Sequence, residues 1–472
     1  MISSEILVLR GYYFPVLVED TIAAIATALG EAALSVIRVS GPDALIVVSR
    51  CFLPAGASSR RPSEAATHTL HYGHIVHDGR RIDEALVAVM RAPRTFTRED
   101  VVEITCHGGP VPARSILDAV LASGARLASP GEFTRRAFVN GRIDLTQAEA
   151  IMDLIQSRTQ LAMMAASDQL SGSLSKKVDA IRDSLMRNLA HVEAYIDFPE
   201  EDITPETNDA LASSVSSAIL NISGLLSAAE DGRALRRGVR VAIIGRPNAG
   251  KSSLLNQLLG HERAIVSPAP GTTRDTIEEL ASIHGIPLLL VDTAGLRDHG
   301  DDIELEGMRR ARAALERAEL VLHVLDSSEP LHEADRAFLR ELENKKRITA
   351  LNKADLPHAL DLPQSAGLHP VSVSCETGDG IPLLRETIRK LVWSGQIEAD
   401  NVEAMINSRH QDALSRALAA LERARGAVLS RAASELAAED LRIAVNAIGE
   451  ITGQTATEDL LDVIFKQFCI GK

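Results

Sequence analysis

The run Gly245-Arg-Pro-Asn-Ala-Gly-Lys-Ser252 combines residue types that hold a nucleotide triphosphate. Its glycines let the backbone approach phosphate closely, and N–H groups at the start of the following helix point at phosphate oxygens. Lys251 adds a point charge near the β- and γ-phosphates, and Ser252 offers a hydroxyl to Mg²⁺. Asn248, Ala249, Gly250, Lys251, Ser252 and Ser253 are therefore the expected phosphate-side contacts. On its own the pattern also fits an ordinary glycine turn between a strand and a helix.

Later segments remove that ambiguity by their order along the chain. Thr272-Thr273-Arg-Asp275 carries hydroxyls suited to a switch loop, with Thr273 a second Mg²⁺ ligand. The run Asp292, Thr293, Ala294, Gly295 ends an apolar strand and brings a carboxylate toward Mg²⁺ and a flexible glycine toward the γ-phosphate. Asn352, Lys353 and Asp355 follow the apolar run Arg347 to Leu351. A buried Asp355 carboxylate accepts from both N1–H and the 2-amino group of guanine; adenine offers no such donor pair, so the nucleotide is GTP. Ser374, Cys375 and Glu376 stand where a backbone N–H reaches the guanine oxygen.

The elements that must position these groups alternate strand with helix, as in a doubly wound parallel sheet of the P-loop GTPase kind. That domain is expected over residues 238–396. At 472 residues the chain is long enough for about three domains. Hydrophobic residues are 45% and charged residues 24%, the balance of a soluble globular protein, while 3% aromatic residues leave the packing to aliphatic side chains. A net charge of −14 excludes a protein that coats nucleic acid by charge alone. Cys51, Cys106, Cys375 and Cys469 form no CxxC pair, which supports neither a disulfide framework nor a zinc site and points to a reducing cytosol. The opening residues have no basic n-region, and Arg10 and Pro15 interrupt their apolar run; no other segment reads as transmembrane.

Residues 1–19 match no usable pattern and read as a loose extension or the product of an early start codon. From Asp20 to Arg142, short runs of β type at 22–27, 34–39, 70–76, 84–90 and 101–106 interleave with helices after Pro42 and Pro110, an α+β domain over 20–142. A capping box is expected at Thr146-Gln-Ala-Glu149, opening helices that break at Ser171-Gly172 and at Pro199. A further helix is expected near Glu206 to Ala229, then a basic linker from Gly232 to Gly238 carrying Arg233, Arg236 and Arg237. Helical sequence resumes after the sheet, so the first part (143–237) and second part (397–472) are expected to form one helical domain around the inserted GTPase domain.

Several motifs outside the nucleotide site fit one family together. They are Asp20-Thr-Ile-Ala, Ile37-Arg-Val-Ser-Gly41, His107-Gly-Gly-Pro110, Pro130-Gly-Glu-Phe133 and the terminal Phe468-Cys-Ile-Gly-Lys472. With the GTPase elements, they make the chain from about Asp20 to Lys472 resemble the bacterial tRNA modification GTPases of the MnmE (TrmE) family. The resemblance implies a cytoplasmic homodimer whose N-terminal domain binds folate and makes the dimer. It also implies an FAD-dependent MnmG-type partner, a heterotetramer, and tRNA as the object modified. The implied reaction is potassium-stimulated GTP hydrolysis coupled to 5-carboxymethylaminomethyl or aminomethyl modification of the wobble uridine, using a 5,10-methylene- or 5-formyl-tetrahydrofolate one-carbon unit. A competing reading is a GTPase switch for ribosome assembly, but no basic KH-like tail follows the GTPase elements.

Carried onto this chain, the resemblance puts the folate contacts at Arg38, Glu103, Arg142 and Lys472, with arginine at 142 where the pattern often has lysine. It puts the switch segment of the GTP site at Ser267, Pro268, Ala269, Pro270, Gly271 and Thr272, and a K⁺ site at Asn248, Ser267, Ala269 and Thr272. That ion stands in for an arginine finger, which the phosphate loop does not obviously offer. Leu296 cannot orient the attacking water, and the implied catalytic residue is Glu304. Glu103 is chemically suited to a pterin, which shows the same donor pair as guanine; the bland alternative is a strand carboxylate facing water. Cys469 is not assigned to catalysis, because it has no adjacent His or acid to lower its pKa, nor are the neighbours Cys106 and His107, because adjacent strand residues point to opposite faces.

Overall fold

The computed structural model describes residues 6–9, 12–15, 20–56, 60–197, 208–260, 278–292, 315–343, 345–362, 369–393 and 405–472. The chain forms two compact units, one of Met1–Met152, Val178–Met186 and Arg442–Lys472, the other of Asp153–Lys177 and Arg187–Leu441. Strands β1 (Ile6–Leu9) and β2 (Tyr12–Pro15) pair antiparallel with Ile6 opposite Pro15, so the opening residues are not a patternless extension. Their aliphatic and aromatic residues are the types that favour strands.

The first unit is built on β3 (Ile22–Ile25), β4 (Leu34–Ser40), α1 (Ala44–Cys51), β5 (Phe52–Pro54), β6 (Thr69–His77), β7 (Arg80–Met90), β8 (Val101–His107), α2 (Pro110–Ala122) and β9 (Arg126–Leu127). These strands form one sheet in the order β5-β6-β7-β8-β4-β3-β9. Alternation decides its two faces. Ile37 and Val39 of β4, Val87 and Val89 of β7, and Ile104 and Cys106 of β8 point into a core closed by α1 and α2. The opposite face carries Arg38 across from Glu103 and leaves Leu34, Leu70, Tyr72 and Leu86 exposed. Helix α3 (Glu132–Val139) and then α4 (Leu145–Gln156) follow. The reciprocal cap of α4 lies earlier than expected: Gln147 N donates to Asp144 Oδ1 at 3.0 Å, and Asp144 N donates to Gln147 Oε1 at 3.0 Å. Asp144 wins over Thr146, whose hydroxyl donates to that same carboxylate, because a charged acceptor suits exposed helical N–H groups better.

The second unit contains α5 (Gln160–Leu170), α7 (Asn208–Ser227) and α8 (Ala229–Arg237), with α6 (Ser173–Asp197) divided between the units. Residues 232–237 are helix and not linker. Glu230 and Asp231 stand in the first turn of α8 and Arg236 and Arg237 in its last, both favourable to the helix dipole, and Arg236 bonds Asp153 at 2.8 Å. The stretch Asp209–Arg237 also meets the length and composition of a membrane span, at a mean hydropathy of 1.4, contrary to the sequence expectation. Val215, Ala218, Ile222 and Leu225 are buried while Leu220 is exposed, the one-sided burial of an amphipathic helix.

The nucleotide-type sheet comprises β10 (Val239–Ile244), β11 (Glu278–Ile283), β12 (Ile286–Asp292), β13 (Leu320–Asp326), β14 (Arg347–Asn352) and β15 (Pro370–Ser372), in the order β11-β12-β10-β13-β14-β15. It is parallel throughout except for the edge strand β11, which turns back on β12 through His284-Gly285. Helices α9 (Lys251–Leu259), α10 (Glu333–Glu341) and α11 (Ile381–Val392) belong to the same unit, and α12 (Ser408–Leu429) packs against α7. Helices α13 (Ser434–Thr452) and α14 (Glu458–Phe465) lead back to the first unit, where Leu461, Ile464, Phe465 and Phe468 join Leu145 and Ala148 in a core.

His323 lies within β13 with no exposed surface, and neither ring nitrogen has a partner among the described residues. Burial, assisted by the neighbouring Arg347 guanidinium, pushes its pKa down to about 4 from 6.5. The folded protein therefore keeps His323 neutral while the unfolded chain takes up a proton below pH 6.5. Stability from this residue is present above pH 6.5 and is lost as pH falls toward 4, at about 1.4 kcal/mol per unit. His323→Leu is expected to narrow the fall in melting temperature between pH 7 and pH 5, by about 2 kcal/mol in stability terms. Parallel pH profiles for variant and parent would rule the effect out.

Candidate functional site

The phosphate loop leaves β10 and enters α9 with its backbone in the left-handed region at Asn248 (φ 62°) and Gly250 (φ 95°). Asparagine tolerates that conformation through its short polar side chain. At Gly250 a Cβ would stand 2.0 Å from Asn352 Nδ2, so a side chain there would displace that amide from its hydrogen bonds. The loop lines a cleft of about 600 Å³ together with residues expected to hold guanine: Pro247, Asn248, Gly250, Lys251, Ser252 and Ser253 on one side, Asn352, Lys353, Asp355, Cys375 and Glu376 on the other. Residues far apart in sequence are thus brought together by three parallel strands ending at one edge.

Side chains within the cleft are already ordered. Lys251 Nζ donates to the Arg246 carbonyl at 2.7 Å. Asn352 Nδ2 donates to the Ala249 carbonyl at 2.9 Å, and Cys375 N donates to Asn352 Oδ1 at 3.2 Å. Ser374 Oγ donates to Asp355 Oδ1 at 2.6 Å, which fixes the carboxylate; Asp355 is exposed and not buried as expected, because it lies at the cleft's open side. Burial and then the charge of Asp355 push the Cys375 thiol up to about 11, so its contribution is backbone and not thiolate chemistry. Arg246 is not an arginine finger: its guanidinium is held by Glu329 Oε2 at 2.7 Å and Asp335 Oδ2 at 2.9 Å. Ser252 opens α9 on the cleft wall, where a hydroxyl beside phosphate suits Mg²⁺, and Asn248 offers an oxygen donor suited to K⁺. Asp292 ends β12 with its backbone opposite Ile243. Ser267, Pro268, Ala269, Pro270, Gly271, Thr272, Thr273, Thr293, Ala294, Gly295 and Glu304 lie outside the described residues.

A second cluster forms in the first unit. Arg38 Nε and Nη2 each stand 2.8 Å from Glu103 Oε1, so Glu103 is ion-paired across the β4–β8 ladder, with Oε2 left for another donor. The Arg38 guanidinium lies 5.4 Å from the Phe96 ring centre and 5.8 Å from that of Phe133, and Arg142 lies 4.8 Å from Phe96 and donates to its carbonyl. Burial and the charges of Arg98 and Arg38 hold the Arg142 pKa below its ordinary value. Burial likewise lowers Lys472, with Arg38 adding to the shift and Glu103 and Cys469 opposing it. Lys472 reaches this place because Gly471 (φ 92°) passes against the Ile25 carbonyl, where a Cβ would stand 2.4 Å away. All four residues expected from the resemblance therefore converge. Phe96 and Phe133 were not assigned from the sequence; their signal was rarity, since aromatic residues are 3% of the chain. Cys106 is buried with its thiol pushed up to about 11 by burial and Asp83, while His107 faces the other way and bonds Asp83 at 2.7 Å, so they form no dyad.

Two family profiles match the chain, one described as the MnmE helical domain over residues 145–469 and one as the GTP-binding protein TrmE N-terminus over residues 21–142. The tRNA modification GTPase MnmE of Chloroflexus aurantiacus is 48% identical over 458 residues, covering 96% of this chain and 100% of that protein. The protein of the same description from Geobacter sulfurreducens is 48% identical over 461 residues, with 96% and 100% covered. Among solved structures, the G domain of the T. maritima FeoB iron transporter is 32% identical over 32% of this chain and 98% of its own, with a TM-score of 0.26.

The Asp355 geometry generates a base-specificity test. Asp355→Asn is expected to lose GTP and to gain xanthosine triphosphate, whose ring carries a carbonyl in place of the guanine amino group. Titrating both nucleotides into the variant decides it, and an undiminished GTP affinity would remove Asp355 from the base site.

Proposed function

The chain belongs to the MnmE family of tRNA modification GTPases, and from that premise we propose that it is a potassium-stimulated GTP hydrolase acting in wobble-uridine modification of tRNA. With an FAD-dependent MnmG-type partner, as a heterotetramer in the cytoplasm, it takes part in adding a carboxymethylaminomethyl or aminomethyl group at C5 of that uridine. The added carbon comes from a 5,10-methylene- or 5-formyl-tetrahydrofolate. The proposed domains are 20–142 for folate and dimerisation, 143–237 with 397–472 for the helical part, 238–396 for GTP, and an extension over 1–19. The observation that carries the reading is the convergence of Arg38, Glu103, Arg142 and Lys472 beside Phe96 and Phe133.

In the nucleotide cleft, Lys251 exchanges the Arg246 carbonyl for β- and γ-phosphate oxygens, and Asp355, already fixed by Ser374, accepts from guanine. Ser252 and Thr273 would hold Mg²⁺; Asn248, Ser267, Ala269 and Thr272 would hold K⁺. Bound there, these ions would supply positive charge to offset the negative charge that develops on the phosphates. The tethering of Arg246 to Glu329 and Asp335 supports that need, because the loop's own arginine is committed elsewhere. Glu304 orients the attacking water in place of the residue after Gly295, which is Leu296.

In the first unit, the guanidinium groups of Arg38 and Arg142 and the Lys472 ammonium suit the carboxylates of a folate tail, and the two phenylalanines suit the flat pterin. Glu103 accepts from the pterin N–H and amino group. The uncovered sheet face bearing Leu34, Leu70, Tyr72 and Leu86 suits a second copy of the chain.

Two measurements test these assignments. GTP hydrolysis is expected to rise sharply in potassium relative to sodium at equal ionic strength. Asn248→Ala should erase most of that difference, and Glu304→Ala should bind GTP yet hydrolyse it on the order of a hundredfold more slowly. Equal wild-type rates in the two salts would reject the ion site, and a fully active Glu304→Ala would reject the catalytic assignment. Separately, 5-formyl-tetrahydrofolate should bind the full chain with an affinity that Glu103→Ala lowers at least tenfold, a loss of about 1.4 kcal/mol. Light scattering on the same samples should give the mass of a dimer, reduced by Leu86→Glu. Equal folate binding by variant and parent would take Glu103 out of the site, and a monomeric parent would reject the dimer.

A further inference from the structure

Between β13 and α10 the chain runs Asp326-Ser-Ser-Glu-Pro-Leu-His-Glu-Ala-Asp335, a stretch with no part in the phosphate or guanine motifs. We propose that this turn is a positioning brace for both ends of the nucleotide cleft, with Asp326 fixing Lys353 on the base side and Glu329 and Asp335 fixing Arg246 on the phosphate side. The inference rests on the cleft being the GTP site.

On the base side, Asp326 closes β13 directly opposite Asn352 and is almost wholly buried. Its Oδ2 stands 2.5 Å from Lys353 Nζ, and its Oδ1 accepts from Ser328 N at 3.0 Å and Ser328 Oγ at 2.6 Å. Burial alone would raise this carboxyl's pKa, but the Lys353 and Ser328 bonds outweigh it and keep the group ionised. Ser327 N also donates to the Asn352 carbonyl at 2.9 Å, so backbone and side chain of the turn both hold the base loop. Lys353 needs such support, since its backbone sits at φ 63°, a region costly for a residue with a long side chain. With the ammonium anchored, the four-carbon stem of Lys353 becomes a fixed apolar strip on the cleft wall.

On the phosphate side, Asp335 is 3% exposed in the first turn of α10, and its Oδ2 takes Arg246 Nε at 2.9 Å. Glu329 takes Arg246 Nη2 at 2.7 Å. Arg246 follows Gly245 in the phosphate loop, and its carbonyl accepts a hydrogen bond from Lys251 Nζ at 2.7 Å. Anchoring the guanidinium therefore restrains the residue whose carbonyl accepts from Lys251. Asp326, Glu329 and Asp335 are positioning residues: each acts through another side chain and none lines the cleft.

The two halves predict separable effects, read as equilibrium affinities of the full chain for GDP, GTP and inosine triphosphate, and as KM and kcat for GTP. Asp326→Asn should weaken GDP and GTP equally, by about tenfold, narrow the preference for GTP over inosine triphosphate, and leave kcat within about twofold. Arg246→Gln should weaken GDP and GTP by a similar factor and leave the guanine preference intact. Arg246→Lys should recover part of that affinity. Unchanged affinity in Asp326→Asn overturns the base-side half, and loss of guanine preference in Arg246→Gln overturns the division between the halves. Should Asp326→Asn fail to fold, Ser328→Ala removes one of its bonds and should shift affinity in the same direction by about threefold; no shift there is equally fatal. Asp355→Asn run alongside separates the failures, because a variant that keeps its GTP affinity removes the site assignment, whereas its loss of GTP with normal Asp326→Asn removes only the brace.

Discussion

The buried side-chain amide of Asn352 is the bond on which the nucleotide cleft depends. Its Nδ2 donates to the Ala249 carbonyl in the phosphate loop, and its Oδ1 accepts from Cys375 N in the loop after β15. Three loops at the ends of three strands are thus held by one group that is 2% exposed, where an unpaired donor or acceptor costs about 1–3 kcal/mol. The requirement for glycine at 250 follows from the same amide. A side chain there would collide with Asn352 Nδ2 and displace the amide that ties the loops together. Gln257 of α9 adds a further tie, donating to the Cys375 carbonyl at 2.8 Å.

The first unit applies the same logic with charge in place of an amide. Arg136 is 3% exposed and donates to the Asp20 carbonyl at 2.8 Å and to both oxygens of Glu99, with Asp20 and Glu132 carboxylates also in reach. A buried guanidinium is tolerable only when it is surrounded in this way, and removing one partner leaves an uncompensated charge. What the network fixes is informative. Glu99 shares its loop with Phe96, and Glu132 and Arg136 share α3 with Phe133, so the two rings beside Arg38 are aimed by residues that never touch it.

The sequence made the nucleotide cleft legible because its chemistry sits in short contiguous motifs whose order along the chain is fixed by strand order in the sheet. The Arg38, Glu103, Arg142 and Lys472 cluster was legible only through family resemblance, since its members come from separate segments and no spacing rule links them. Asp326 and Asp335 gave no signal: isolated acidic residues after a strand read as solvated, and burial at 7% and 3% is a property of the tertiary packing. The edge strand β11 was missed as an antiparallel partner because apolar periodicity does not encode strand direction. A glycine and three arginines make residues 232–238 read as a linker, yet the acidic residues Glu230 and Asp231 in the first turn and Arg236 and Arg237 in the last suit the dipole of a short helix.

The nucleotide sheet is not packed as a free-standing body. Ala162, Ala165 and Ala166 of α5 and Ala234 and Leu235 of α8 belong to the same apolar core as Val241, Ile243, Leu288 and Leu290. Alanine at these positions brings the helix backbone close, and separating the helices would expose apolar surface at about 25 cal/mol per Å². Leu161 lies against the turn at Gly285, where a Cβ would stand 2.8 Å from Leu161 Cβ, so the hairpin of β11 and β12 rests on α5. Those two strands are also the chain on either side of the turn leading to residues 261–277 and 293–314, which carry Thr273 and Glu304. Contacts made of alanine and leucine are non-directional, so it is the apolar area removed from water that holds the hairpin on α5.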